Sequence, residues 1–115
     1  MGTATIQVRV LAVAGRRVWV AVSGRLCAPT LRVMHYSLCA RAVSEQTQFY
    51  LDLKAVHWDE TFRADELPQV LPAGSRLRFH IVGARQSVSA ALGGDARCCF
   101  HSDVASAWES WSRQP

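Results

Sequence analysis

The densest run of reactive side chains is Cys98-Cys99-Phe100-His101, two thiols and an imidazole within four positions. In an extended chain alternate residues share a face, so Cys99 and His101 can reach one metal ion together. Structural zinc takes four ligands, usually in pairs about two to four residues apart. Neither Cys98-Cys99 nor Cys27 with Cys39 has that spacing. A blue-copper arrangement needs a further histidine and commonly a methionine, and no methionine follows His101. The expectation is ordinary packed thiols, with no metal ligands and no cofactor.

Other chemistries fare no better. Cysteine catalysis needs a thiolate activated by a histidine or a helix N-terminus, plus an orienting group. Cys99, His80 and Asp103 supply the residue types, but no glycine-flanked nucleophile turn accompanies them. The acid pairs Asp59-Glu60 and Asp65-Glu66 are sequence neighbours, which point apart on a strand and are solvated on a loop, so they do not support glycosidase chemistry. Gly93-Gly94 matches neither dinucleotide-binding nor phosphate-loop spacing. The chain reads as non-enzymatic.

Two patches suit recognition instead. Arg76, Arg78 and His80 share one face of an alternating segment, and arginine forks match phosphate and carboxylate geometry. Stacking aromatics, which single-stranded nucleic acid would want, are thin there, because Phe79 belongs to the opposite face. Near the C-terminus, Ser102 can cap a helix over 103–112, with Asp103 at its positive end. Val104, Trp108 and Trp111 then fall on one helical face. Arg76, Arg78, His80, Trp108 and Trp111 are the candidate partner-binding residues.

The elements that must position them follow from hydropathy. Apolar residues recur with a period close to two along most of the chain, the pattern of strands with one buried face. The predicted strands lie at about 3–13 and, after the turn Ala14-Gly15-Arg16, at about 17–26. Pro29 breaks the pattern, and further strands are predicted at about 30–40 and 46–54, with a short one over 57–62. The two prolines and glycine of 67–74 mark a loop, and Ser75 to Val82 is a strand with Leu77, Phe79 and Ile81 inward. Residues 87–101 are read as a hairpin around Gly93-Gly94-Asp95, with a short helix over 85–92 as the alternative. Six or seven short strands predict an all-β chain. The expected form is a two-layer β-sandwich, immunoglobulin- or fibronectin-like, over residues 1–101, with a small barrel as the alternative. Residues 102–115 form an amphipathic helical tail.

At 115 residues, half of them apolar, the chain has the size and composition of one globular domain rather than of a disordered segment. No apolar run reaches the ~18 residues of a membrane-spanning helix. The start alternates Ala4, Ile6, Val8 and Val10 with Thr5, Gln7 and Arg9, a strand pattern rather than a secretory leader. A cytoplasmic location with Cys27, Cys39, Cys98 and Cys99 as free thiols is therefore expected. Charge is uneven: residues 1–44 hold six arginines and no acid, residues 45–70 sum to −4, and the whole chain to +4. These features together predict a non-catalytic module that binds another protein, as an adaptor, inhibitor or structural subunit. A nucleic-acid-binding domain using the arginine face is the alternative, and a small cysteine/histidine metal or thiol protein is third.

Overall fold

A computed structural model describes residues 5–58 and 64–113. The chain starts with a hairpin, β1 (Ile6–Ala14) and β2 (Arg17–Leu26). Gly15 adopts φ 58° at its turn, a backbone region that costs a residue without Cβ little. Pairing is antiparallel from Ile6↔Gly24 to Ala14↔Arg17, with an irregularity between Val10 and Ala12. That irregularity turns Ala12 and Ala14 towards the face opposite to Ile6 and Val8.

Three parallel strands complete the sheet: β3 (Gln48–Trp58), β4 (Arg78–Val82) and β5 (Cys98–His101), in the order β1-β2-β3-β4-β5. Parallel neighbours need a crossover, usually helical. The crossovers are α1 (Ala28–Val43), a 3-10 helix at Ala64–Val70 and α2 (Gln86–Leu92), and α3 (Val104–Arg113) follows β5. The first three pack on one face of the sheet, where Leu31, Met34, Leu38, Leu67, Val70, Val88 and Leu92 meet Val18, Val20, Leu51, Phe79 and Ile81. α3 covers the other face through Ala107 and Trp111.

The fold is thus α/β, with a mixed five-stranded sheet and helices on both faces, and not an immunoglobulin-like all-β sandwich. The largest single departure is 30–40, expected as a strand. Pro29 sits in the first turn of α1, where its missing N–H costs nothing. Thr30 Oγ1 accepts the Cys27 N–H at 2.8 Å and donates to the Arg25 carbonyl at 2.8 Å, which fixes the turn into the helix. Leu31, Met34 and Leu38, spaced by three and four, are the buried stripe. Each such side chain contributes about 1.5–3 kcal/mol on leaving water. Residues 86–92 are the short helix rather than half of a hairpin, and a 3-10 helix at 64–70 overlaps the start of the stretch 67–74 expected as loop. The strand expected at 46–54 runs on to Trp58, whereas the rest of the short strand expected at 57–62, the pair Asp59-Glu60 and the first four residues lie outside the described residues. The β1/β2 hairpin, β4, β5 and α3 lie where hydropathy put them.

Candidate functional site

On the α3 side the sheet carries a row of rings. Trp19 of β2 pairs in register with Tyr50 of β3, Tyr50 with His80 of β4, and His80 with Cys99 of β5. Parallel register puts these side chains on one face, and the rings stack. Trp19 and Tyr50 lie 5.2 Å apart with planes 7° from parallel, and Tyr50 and His80 lie 4.1 Å apart at 3°. His101, two residues beyond Cys99 on the same face, continues the row at 5.2 Å from His80.

Hydrogen bonds orient the imidazoles. His80 Nε2–H donates to Gln48 Oε1 at 3.4 Å, and His80 Nδ1 accepts from His101 Nε2–H at 3.0 Å. His80 is only 9% exposed. Burial, reinforced by the neighbouring His101, lowers its pKa from 6.5 to about 4, so the ring stays neutral at pH 7. Burial also lowers His101, against the opposing pull of Asp103. Cys98, on the other face of β5, is raised to about 11 chiefly by burial and so stays protonated at pH 7. Cys99 is exposed on the side of the histidines.

α3 closes this face. Trp111 is buried edge-on against Trp19 and Tyr50, and the Tyr50 hydroxyl lies 3.0 Å from Ser110 Oγ. The Arg17 guanidinium stacks over Trp111 at 4.8 Å and donates to its carbonyl. Beside His101, a surface cleft of about 360 Å³ is lined by Ser106, Glu109, Ser110 and Arg113.

The candidate partner-binding residues therefore separate. His80 and Trp111 are buried in the ring row, and Trp108, 55% exposed, tilts against Trp19 at 6.0 Å. Arg78 donates to the carbonyls of Ser75 and Leu77, both 2.8 Å away, and Arg76 is exposed in the turn before β4. With His80 buried, the three do not form a continuous basic face.

A second surface was not foreseen. Of the nine large apolar side chains exposed among the described residues, six lie on β1 and α1: Val10, Leu11, Val13, Val33, Tyr36 and Val43. Val33, Tyr36, Ala40 and Val43 recur at spacings of three, four and three, a stripe on the solvent side of α1. Tyr36 is 70% and Val43 85% exposed. Val8, Val10 and Val20 meet Ser37, Leu38, Ala40 and Arg41 around a groove of about 250 Å³ between the edge strand and the helix. The signal available for it was a segment apolar on both of its strand faces, which is also the pattern of a helix with apolar residues on two sides.

This architecture, a hairpin leading into parallel strands with one helix on the far face, has similar counterparts among solved structures. The chain resembles the crystal structure of an anti-sigma factor antagonist from Mycobacterium paratuberculosis, with a TM-score of 0.68, 17% identity and coverage of 92% of this chain and 93% of that one. It also resembles the anti-sigma factor antagonist SpoIIAA in its unphosphorylated form, with a TM-score of 0.63, 9% identity and coverage of 94% and 100%. No protein-family model and no curated sequence matches the chain. At these identities the likeness is one of fold. Among the described residues no helix is long and apolar enough to cross a membrane.

Proposed function

We propose that this chain is a non-enzymatic regulatory module that works by binding another protein through the α1–β1 surface, in a reducing cytoplasm that suits its four free thiols. The observation that carries this reading is the apolar stripe of Val33, Tyr36 and Val43 beside the exposed edge strand β1. Contiguous exposed apolar area mixed with arginine is characteristic of recognition surfaces. Arg9, Arg16 and Arg32 are exposed around it, and residues 1–44 contain no acid. A second copy would bring like charge against like, so the occupant is an apolar surface with an acidic rim on a different protein. The fold shared with anti-sigma factor antagonists makes anti-sigma factors of the same cell the first partners to test.

The test places a photo-crosslinker at Val43 and measures binding of purified anti-sigma factors to the wild type, V33D/Y36E and R32E/R41E. Binding should fall at least 10-fold in the first variant and show a weaker salt dependence in the second, with circular dichroism unchanged in both. Undiminished binding by V33D/Y36E removes this surface from the reading. Arg76→Glu with Arg78→Glu, and Trp108→Ala, run in the same assay, test the arginine turn and the helix tail as additional contacts.

A further inference from the structure

We infer that His80, Cys99 and His101 form a binding site for a borderline-soft divalent cation of the zinc type, a property independent of the partner surface on α1. It is the one group of three such side chains among the described residues, and their ligand atoms all lie within 4.8 Å of one another. Spacing along β5 alone supplies two ligands, Cys99 and His101; the parallel register of β4 brings the third, since His80 pairs with Cys99.

The distances suit the ion. Around tetrahedral zinc, bonds of about 2.0–2.1 Å to nitrogen and 2.3 Å to sulfur put two nitrogens about 3.3 Å apart and nitrogen and sulfur about 3.6 Å apart. His80 Nδ1 and His101 Nε2 are 3.0 Å apart, so that pair need open only slightly. The sulfur closes in by about an ångström from the longest separation, within reach of a χ1 adjustment of an exposed side chain.

The supporting atoms are those a ligand histidine needs. The Gln48 contact keeps the proton of His80 on Nε2 and leaves Nδ1 bare, as metal-bound histidines are commonly held by a hydrogen bond at the other nitrogen. Stacking on Tyr50 at 4.1 Å fixes the ring plane. His101 contributes Nε2 by shifting its proton to Nδ1, and Cys99 binds as thiolate, releasing its proton to solvent. Two nitrogens and one sulfur select zinc-like ions over calcium or magnesium, which take oxygen. Three protein ligands leave a coordination position for water, and His101 lines the open cleft beside α3.

The test titrates Co²⁺ into the reduced full chain and follows the near-ultraviolet thiolate-to-cobalt band, then displaces it with Zn²⁺. One equivalent should saturate the band, Cys99→Ser should abolish it, and His101→Gln should weaken affinity by about 100-fold or more, beyond the usual cost of losing an outer-shell partner. Both residues are accessible enough to be replaced without emptying the core, whereas a change at buried His80 is read only alongside circular dichroism. Cys39→Ser is the control, because Cys39 Sγ and His35 Nε2 on α1, 3.5 Å apart, make the competing thiol–imidazole pair. A titration without a saturable band, a band that survives Cys99→Ser, or one that requires Cys39 overturns the site.

Discussion

The two faces of the sheet are built from different materials. The face under α1, the 3-10 helix and α2 is aliphatic, apart from Phe49 and Phe79, and holds no ionisable group among its buried residues. The face under α3 is a row of rings, Trp19, Tyr50, His80 and His101, tied by hydrogen bonds to Gln48 and Ser110. Aliphatic packing is non-directional and stabilises in proportion to area removed from water. Stacked rings with polar edges require fixed planes and partners. The first face therefore carries most of the stability of the chain, and the second carries what protons and ions can act on.

Removing a ring from the aliphatic face breaks this contrast most severely. Phe79→Ala should cost about 3–5 kcal/mol in urea unfolding. It also strips Arg97 of the ring its guanidinium covers at 5.0 Å, while Arg97 continues to hold the carbonyls of Pro72 and Gly74. A cost no larger than that of a hydroxyl deletion on the ring face would reverse the assignment of stability.

Acid sharpens the same contrast with an effect on the order of 2 kcal/mol, allowing for partial solvent access. The unfolded chain protonates His80 near pH 6.5, whereas the folded chain resists until about pH 4. Stability of the metal-free protein should therefore fall as pH drops from 6.5 towards 4 and level off below. His101 has the same sign, with Asp103 opposing it, and Gln48, Tyr50 and Cys99 are the other polar groups around the pair. His80→Phe should flatten the profile of urea midpoints across that window; an unchanged slope would mean that the imidazole is not shielded. The smallest effect belongs to Tyr50→Phe, which removes only the link to Ser110 and should cost about 1 kcal/mol, with the pH profile intact.

How far the sequence revealed this division depends on the element. The hairpin, β4, β5 and α3 were legible as elements because alternation or helical spacing runs through each, although β2 and β4 prove to be covered on both faces. α1 was not, because it is apolar on its buried side and again at Val33, Tyr36 and Val43, and a helix apolar on two sides imitates a strand with two covered faces. Reading Pro29 as a break rather than as a first-turn residue removed the remaining clue. With 30–40 taken as a strand and 87–101 as a hairpin, no helical crossover remained to make the sheet parallel, and a sandwich was the natural conclusion. At the site, Cys99 and His101 were legible as sharing a face. His80 was assigned to an exposed arginine stripe, because its burial depends on Tyr50 and His101 stacking beside it, contacts between residues tens of positions apart.

The grip of Arg17 on Trp111 joins two residues 94 positions apart. During synthesis, the indole of Trp19 and the ring of Tyr50 therefore stay uncovered until the ribosome has passed that tryptophan, while most of the opposite layer is already able to assemble. For that interval the nascent molecule presents a bare aromatic sheet, and this is the side that a chaperone would have to shelter.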